Sequence, residues 1–422
     1  GLLAAAFLLA AALDALWARR RLGTLGVEAP GVVRLSAARP RGLYLRLHST
    51  AGRSRRVRCL PDLPPAVGSP SAPLDAHLPP ETGVSRLDVP CAPSRRGHYA
   101  LERCHVEESS PLGFWEARRT YPLCAEVRVY PDLSRERRQL AALFLRRGGL
   151  GVHAQRQVGQ GREFEKLREY VPGDATQDLH WKATARRGHP ITKVFQVERT
   201  QEVYVILDAG RLSTRAAAGG ASGEEPEGAG GRPKATLLDR YVAAALVLGL
   251  AAERQGDRFG VAVFSDRVLR FLGARAGKAH YGACRDALFA VEPEDAAPDF
   301  GEVFAALDGR LRRRALLVFL TSLDDPAVAE SFVRAVERVA RRHLVLVAGL
   351  RPPGVAPLFS EPEAADPGDL YRHLAGHLRW ADLAGVRLTL RARGVGFALL
   401  EDEHLAGALV TQYLAVKQRQ LL

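Results

Sequence analysis

The chain of 422 residues contains no methionine, few aromatic residues (7%) and only 5 cysteines. The cysteines are Cys59, Cys91, Cys104, Cys124 and Cys284. No Cys-x-x-Cys pair occurs, which argues against a zinc ribbon and a thioredoxin-type redox site. Five scattered cysteines are too few for a disulfide scaffold, so we expect buried thiols in a reducing compartment. Four of them fall in the N-terminal third, where a disulfide pair would require an oxidising compartment.

Nucleotide-binding and catalytic motifs are also missing. The sequence has no G-x-x-x-x-G-K-[ST] loop and no G-x-G-x-x-G after a predicted strand, so we do not expect the chain itself to hydrolyse nucleotide. His373 and His377 lie four residues apart on a predicted helix but lack the glutamate of a zinc protease, which favours a surface pair. His280 and Cys284 share this spacing, yet no residue that would orient them or form an oxyanion hole can be named.

The composition is that of a globular protein, with 47% hydrophobic and 25% charged residues. Wholesale disorder and a polytopic transporter are therefore excluded. The net charge is +13 and comes almost entirely from residues 1–130 (+7) and 131–200 (+6), whereas residues 201–422 are neutral. Because no aromatic residues alternate with the basic ones in a recognised module, we expect proximity to an anionic membrane surface and not nucleic-acid binding.

The first 13 residues are all apolar, and Trp17 and the arginines Arg19, Arg20 and Arg21 follow them. At about 1.5 Å per residue this run spans roughly 20 Å, less than the ~30 Å hydrocarbon core. Since the basic residues follow the run, we interpret residues 1–22 as the end of a transmembrane helix whose earlier part is missing, and not as a signal peptide. The positive-inside rule then places most of the chain in the cytoplasm. A helix buried on the next domain is the alternative.

The remaining pattern predicts three further regions. Residues 23–130 contain short alternating runs separated by proline, glycine and serine, which is typical of a β-sandwich, with a loop over residues 61–80. Residues 131–190 form a connector. Residues 191–422 alternate apolar strands with helices, which predicts a doubly wound α/β domain with a parallel sheet. Ligands bind such sheets at the carboxyl ends of the strands, here at Asp208, Ser265 and Thr321.

The most distinctive segment is residues 161–186, which read GREFEKLREYVPGDATQDLHWKATAR. This segment resembles the signature of the domain-of-unknown-function 58 family, the membrane-anchored partners of MoxR-type AAA+ ATPases. About a dozen specified positions agree, and the departures are Gln177 in place of arginine and Thr184 in place of serine. The resemblance extends to the N-terminal anchor, the β-rich segment and a von Willebrand factor A-like domain, whose terminal helix ends in Tyr413-Leu-Ala-Val-Lys-Gln-Arg.

The signature interleaves basic and acidic residues with apolar anchors. It can be a surface for docking a partner, in which aromatic residues and arginines contribute most of the binding energy, or an ion-paired clasp that attaches the segment to the α/β domain. The candidate partner-binding residues are Arg162, Glu163, Phe164, Arg168, Glu169, Tyr170, Pro172, Gly173, Asp174, Trp181 and Arg186.

Von Willebrand A domains often bind a divalent cation through a D-x-S-x-S motif, a threonine and a later aspartate. In this sequence the first motif reads Asp208-Ala-Gly-Arg-Leu, so both serines are absent, and Ser322 follows Thr321 where the aspartate is expected. One carboxylate without paired hydroxyls is a poor cage for a hard cation. We therefore predict a degenerate site in which Asp208 is structural, with no cofactor. If Mg²⁺ or Ca²⁺ is retained, Asp208, Ser213 and Asp324 are the expected ligands.

Together these features predict a non-enzymatic, membrane-anchored adaptor with its bulk in the cytoplasm. The resemblance implies that it works with a MoxR-type AAA+ ATPase in the assembly or maturation of other proteins. Two alternatives belong to other functional classes: a metal-dependent ligand-binding or adhesion module, and a hydrolase that uses Cys284 or a carboxylate.

Overall fold

The computed structural model describes residues 1–37, 39–50, 54–68, 70, 72–80, 84–146, 158–171, 176, 179–196, 201–217, 235–358, 360 and 366–419, with the backbone alone at 143, 145, 146, 158–166 and 194–196. The chain forms two compact units, neither of them continuous in sequence. The first unit comprises Gly1–Ser134, Arg215–Ala243 and Asp286–Pro293. The second comprises Arg135–Thr214, Ala244–Arg285 and Glu294–Leu422. Sequence analysis instead placed continuous domain boundaries near residues 22, 130 and 190.

The first unit contains one long helix and two β-sheets. Its elements are α1 (Leu2–Gly23), β1 (Leu25–Glu28), β2 (Val32–Ser36), β3 (Arg41–Ser49), β4 (Arg55–Pro61), β5 (Leu74–Leu78), β6 (Val84–Cys91), β7 (Gly97–Ser109) and β8 (Glu116–Tyr130). One sheet has the strand order β1-β3-β6 and the other has the order β2-β8-β7-β4-β5. Neighbouring strands are antiparallel except for β2 and β8, which are parallel.

The two sheets share one apolar core, as expected for a β-sandwich. Residues alternate between buried and more exposed along β3, so that Leu43, Leu45 and Leu47 are at most 1% exposed. Val127 and Val129 on β8 contribute to the same cluster from the other sheet. A period of two places alternate side chains on one face of a strand, which explains how short alternating runs in the sequence form this core.

Helix α1 is, among the described residues, the one helix that is long and apolar enough to cross a membrane. Its last turn packs on the sandwich through Ala18 and Leu22, which are buried. Arg55, whose side chain is fully buried, donates a hydrogen bond of 2.9 Å to the Arg21 carbonyl and forms an ion pair with Glu108. The cation adds a hydrogen bond to a carbonyl of the last turn, which also accepts the Thr24 amide, and it opposes the negative end of the helix dipole.

Arg96, which directly precedes β7, binds two ranges of the chain that are distant in sequence but belong to the same unit. Its Nε lies 2.6 Å from Asp239 Oδ1, and its Nη1 donates to the carbonyls of Leu288, Phe289 and Val291 at 2.7–3.3 Å. Burial lowers the pKa of Arg96 against the opposing effect of Asp239. The buried guanidinium is therefore hydrogen-bonded as well as paired, which is the condition for burying a charge at tolerable cost.

The second unit contains a six-stranded sheet and a separate antiparallel pair. The pair consists of β9 (Val158–Glu169) and β10 (Ile191–Gln196), and the sheet of β11 (Glu202–Asp208), β12 (Arg258–Phe264), β13 (Val268–Arg275), β14 (Leu316–Leu320), β15 (Leu344–Leu350) and β16 (Gly396–Leu400). The sheet has the order β13-β12-β11-β14-β15-β16 and is parallel except for β13. This is the doubly wound order, in which the strand sequence reverses beside the first strand. The expected α/β fold is confirmed.

Helices cover both faces of the sheet. The helices that follow α1 along the described chain are α2 (Ser134–Arg146), α3 (Trp181–Arg187), α4 (Leu237–Arg254), α5 (Lys278–Leu288), α6 (Phe300–Arg310), α7 (Pro326–Ala340), α8 (Pro367–Ala392) and α9 (Leu405–Gln418). On one face Phe332 of α7 contacts Phe300, Phe304 and Phe319, with ring centroids 4.9–5.5 Å apart. On the other face α4 approaches β12 closely, since a Cβ at Gly249 would lie 2.6 Å from the Phe259 ring.

The terminal helix α9 is attached to the sheet through Asp257, which directly precedes β12. The Tyr413 hydroxyl donates to Asp257, and Lys417 Nζ lies 2.7 Å from the same carboxylate. The other carboxylate oxygen accepts the Gln201 amide at 3.1 Å. This network gives a structural reason for the tyrosine and lysine spacing at the end of the chain.

Three elements differ from the sequence-based expectation. The proline-rich range 61–80 was expected to be a loop, but it contains β5, whose residues pair with β4. The edge strand β13 was not predicted, because its half-buried residues give a weaker pattern than the buried strands. Helix α8 extends to Ala392, well beyond the expected end near residue 384.

Candidate functional site

The carboxyl edge of the six-stranded sheet is closed around Asp208. Asp208 ends β11 and Thr321 follows β14, and these strands are parallel neighbours, so their ends meet. Thr321 Oγ1 donates to Asp208 Oδ2 at 2.6 Å, and the Gly210 amide donates to Oδ1 at 2.8 Å. Asp208 is 2% exposed and Thr321 is fully buried. Burial raises the pKa of Asp208 above its ordinary value, although both hydrogen bonds oppose that effect.

The backbone leaves little room for the first serine of the cation motif. A Cβ at Gly210 would lie 2.8 Å from the Ala296 carbonyl oxygen and 3.0 Å from Asp208 Oδ1. Ala296 is held there because its carbonyl accepts the Arg211 amide at 2.9 Å. A side chain at residue 210 would therefore displace backbone, which gives a steric reason for glycine at this position.

The neighbouring strand end places a second polar cluster at the same edge. Ser265, which follows β12, is fully buried, and its Oγ lies 2.6 Å from Glu294 Oε2 and 2.9 Å from Asp266 Oδ1. Arg267 pairs with both carboxylates at 3.0–3.4 Å. Sequence analysis named Ser265 but missed Glu294, because nothing in the local pattern indicates that residue 294 returns to this strand end.

The other expected cation ligands do not complete a cage in the described part of the chain. Ser213 is buried in a short 3-10 turn, Arg211–Thr214, and its Oγ has no hydrogen-bond partner there. Asp324 is half-buried and has a partner of its own. The described residues contain no group of three or more histidine, cysteine or acidic residues that could hold a metal ion.

His280, Cys284 and His377, which the sequence singled out as members of two pairs, each contact neighbouring groups. Cys284 Sγ lies 3.5 Å from His280 Nε2, but that nitrogen also lies 2.8 Å from the Phe259 carbonyl oxygen. Burial raises the pKa of Cys284 to about 12, so the thiol stays protonated near neutral pH. His377 Nδ1 accepts the Leu358 amide at 3.0 Å, and its ring stacks on Trp380. Cys124, expected to be buried with the other cysteines, is exposed.

The signature segment is organised around β10. Thr192 of β10 pairs with Arg168 of β9 and forms a bridge to Leu179. Helix α3 begins directly after His180, whose Nδ1 accepts the Ala183 amide at 3.0 Å and caps the helix. The Ile191 amide donates to Thr184 Oγ1 at 3.0 Å. The two halves of the signature are thus brought together by a strand that sequence analysis did not predict.

Of the candidate partner-binding residues, five have described side chains. Trp181, Glu169 and Arg186 are exposed, and Arg168 and Tyr170 are half-buried. Glu169 lies 3.4 Å from His189, and Arg168 Nη1 donates to the Glu169 carbonyl at 3.2 Å. The side chains of Arg162, Glu163 and Phe164, and all of Pro172, Gly173 and Asp174, lie outside the described residues.

Three large apolar side chains in this segment are exposed to solvent. Leu167 is 39% exposed, Val171 is 53% exposed and Trp181 is 69% exposed. We call these residues together with Arg168 the signature surface. Sequence analysis did not name Leu167 or Val171 as candidates.

Comparison with known proteins finds a family model that matches this segment and much of the α/β region. Residues 166–354 match the family described as "Protein of unknown function DUF58". Uncharacterized proteins of Mycobacterium tuberculosis and Mycobacterium bovis are 26% identical to the chain over 191 residues, which is 44% of this chain. The chain spans about half (54%) of the length of these curated relatives.

Solved structures with related folds have low overall similarity. The conserved hypothetical protein BatB from Bacteroides thetaiotaomicron is 15% identical, with a TM-score of 0.31, over 52% of this chain and 99% of that one. An aerotolerance-related membrane protein from Bacteroides fragilis is 14% identical, with a TM-score of 0.28, over 50% and 97%. The order of the six-stranded sheet agrees with the expected von Willebrand A-like fold. Residues 166–354 thus match the DUF58 family model, in agreement with the resemblance of residues 161–186 to the family signature.

Proposed function

We propose that this protein is a membrane-anchored, non-enzymatic adaptor that docks a MoxR-type AAA+ ATPase through its signature surface and takes part in assembling or maturing other proteins. The ATPase partnership follows from the family resemblance, and it is the part of the proposal that the experiment below addresses first.

The observation that carries the proposal is the exposure of Trp181 on an ordered helix. A tryptophan that is 69% exposed leaves most of a large apolar side chain in water. Leu167 and Val171 add further exposed apolar area to the same segment, and Arg168 adds a charged group. Tryptophan and arginine are the residue types that most often dominate the binding energy of a protein interface. An ion-paired clasp would instead bury these side chains.

The anchoring part of the proposal is supported by α1. The helix is 22 residues long, and its apolar side chains from Leu2 to Leu16 are largely exposed. Arg19, Arg20 and Arg21 follow the apolar part, and by the positive-inside rule they support a cytoplasmic location for the rest of the chain.

The non-enzymatic part of the proposal is supported by the closed carboxyl edge. Both oxygens of Asp208 accept hydrogen bonds from the protein, and Gly210 replaces a hydroxyl ligand. The donor set does not fit a divalent cation, which needs several free oxygen ligands. Cys284 is buried and protonated, so it is a poor nucleophile.

The test is capture of partners from native membranes with the full chain and with the double variant Arg168→Ala, Trp181→Ala. We expect the variant to lose the ATPase while circular dichroism and the melting temperature stay unchanged. Tyr371→Ala is the matched control, because Tyr371 is 72% exposed on α8 and lies outside the signature. Retention of the same partners by a folded double variant would refute docking through this surface and support the clasp.

A further inference from the structure

The tip of the β7–β8 hairpin exposes apolar side chains without any charge. Residues 110–115, which we call the hairpin tip, read Ser-Pro-Leu-Gly-Phe-Trp. Leu112 is 62% exposed, Phe114 is 47% exposed and Trp115 is 50% exposed. A turn between two strands is ordinarily polar, so three large apolar residues at its end indicate an apolar environment for the tip.

The hairpin tip packs along α1. The Trp115 indole Nε1 donates to the Ala11 carbonyl at 2.9 Å, and the rings of Phe114 and Phe7 meet edge to face with centroids 5.4 Å apart. The Leu112 amide donates to Asp14 Oδ1 at 3.0 Å. The exposed apolar surface of the tip is therefore continuous with the exposed apolar surface of the helix.

Three backbone amides of the tip, those of Ser110, Gly113 and Trp115, find acceptors within the tip itself. The Ser110 amide donates to the Trp115 carbonyl at 2.7 Å, and the Gly113 amide donates to the Ser110 carbonyl at 3.0 Å. The Trp115 amide donates to Ser110 Oγ at 2.9 Å. Proline at position 111 has no amide donor, and Asp14 accepts the amide of Leu112. Non-helical backbone tolerates a lipid environment only when its polar groups are paired in this way.

Charged residues begin at the same level on the helix and on the hairpin. On α1 they begin at Arg19, and on the hairpin they begin at Glu108 and Glu116. Arg21 Nη2 lies 3.6 Å from Glu108, which shows that these two levels coincide. From Leu22 to Phe7 the helix rises by about 23 Å, roughly the thickness of one lipid leaflet with its headgroups. Asp14, the one charged residue of the helix above this level, is 3% exposed and pairs with the tip.

We propose that the hairpin tip is a second membrane-inserted element, which enters the lipid leaflet beside α1 and fixes the angle between the anchor and the β-sandwich. The proposal rests on the proposed anchoring by α1. Its occupant is the acyl-chain and headgroup region of a bilayer, with anionic lipid favoured by Arg19, Arg20 and Arg21.

The test measures tryptophan fluorescence of the full chain in vesicles of phosphatidylcholine and phosphatidylglycerol whose acyl chains carry bromine, a short-range quencher. Three variants each keep a single tryptophan, Trp17, Trp115 or Trp181, with phenylalanine at the other three tryptophan positions. We expect brominated lipid to remove most of the emission of Trp115 and Trp17 and to leave Trp181 unchanged. Melting temperatures in unbrominated vesicles verify that each variant is folded.

The outcomes separate the tip from the anchor. If Trp17 is quenched and Trp115 is not, α1 is in the membrane and the tip is not, so the inference is wrong while the anchoring stands. If neither is quenched, the anchoring fails and the inference fails with it. An unquenched Trp115 that becomes shielded from aqueous acrylamide only when cytosolic extract is added would assign the tip to a protein partner and overturn the inference.

The role of Asp14 is tested in the variant that keeps Trp115 alone. Asp14→Asn retains an oxygen that can accept the Leu112 amide, whereas Asp14→Leu removes it. We expect Asp14→Asn to keep the lipid quenching of Trp115 and Asp14→Leu to lose a large part of it, with Trp17 quenching unchanged in both. Equal quenching of Trp115 in the two variants would show that the tip enters lipid without this hydrogen bond.

Discussion

The carboxyl edge of the six-stranded sheet and the signature surface belong to the same unit, and they differ in what they present to solvent. At the edge, Asp208 and Thr321 are at most 2% exposed and bind each other. On the signature surface, Trp181 is 69% exposed. The edge is where a doubly wound fold ordinarily binds ligands. In this protein Asp208 and Thr321 at that edge already bind each other, so the fold alone is a poor guide to where a partner binds.

The largest expected effect compares a buried aromatic residue with an exposed one. Phe332→Ala removes the centre of the phenylalanine cluster and should lower the free energy of unfolding by about 3–5 kcal/mol. Trp181→Ala should change it by less than about 0.5 kcal/mol, because surface substitutions are usually close to neutral. Urea denaturation of both variants measures the difference. A comparable decrease in the free energy of unfolding of Trp181→Ala would mean that Trp181 stabilises the fold and is not a free surface residue.

An intermediate effect is expected at the closed edge. Asp208→Ala leaves the Thr321 hydroxyl and the Gly210 amide buried without an acceptor and should cost about 1–3 kcal/mol. Gly210→Ser restores the first serine of the cation motif but should destabilise the protein by about 1–3 kcal/mol, because its Cβ meets the Ala296 carbonyl. Addition of Mg²⁺ or Ca²⁺ should leave the melting temperature of the wild type unchanged, and it should likewise leave the lower melting temperature of Gly210→Ser unchanged. A rise in the wild type with either ion would establish the metal-dependent alternative.

The smallest effect is expected at the opposite, amino-terminal end of the sheet. His343 Nδ1 accepts the Ala315 amide at 3.3 Å, and burial lowers the pKa of His343 below its ordinary value of 6.5. The unfolded chain therefore takes up a proton at higher pH than the folded protein. The free energy of unfolding should fall as the pH decreases below about 6.5, by at most about 1.4 kcal/mol per pH unit, and should level off once the folded protein also binds the proton.

His343→Asn is the control for this pH dependence, since asparagine can accept the same amide without titrating. Urea denaturation across the acidic range should give a flatter profile for the variant than for the wild type. Identical slopes would show that His343 binds its proton at the same pH in the folded and in the unfolded chain, which would contradict a pKa lowered by burial.

The fold was predictable wherever a strand is buried on both faces. The apolar runs at 203–207, 259–264 and 315–320 correspond to β11, β12 and β14, because a fully buried strand must be apolar throughout. The half-buried strand β13 and the proline-bounded strand β5 were missed. Their residues satisfy neither the continuous nor the alternating pattern, and only pairing with a neighbour defines them.

The candidate site was predictable in its residues and not in its contacts. The loss of both serines after Asp208 indicated a poor cation site from the sequence alone. The hydrogen bond from Thr321, the approach of the Ala296 carbonyl to Gly210 and the return of Glu294 to Ser265 all join residues that are distant along the chain. No local pattern encodes such pairs.

The sequence by itself determined the family resemblance, through the signature motif. It also determined the apolar first helix and the β-rich and α/β regions, because these depend on local composition and periodicity. The tertiary structure decided which polar groups are already satisfied and which apolar groups remain exposed. Asp208, whose two carboxylate oxygens both accept hydrogen bonds, belongs to the satisfied polar groups, whereas Trp181 belongs to the exposed apolar groups. The apolar hairpin tip, which pairs with Asp14 of α1, is exposed as well. Burial depends on what the rest of the chain places beside a residue, and that information does not lie in its neighbours in sequence.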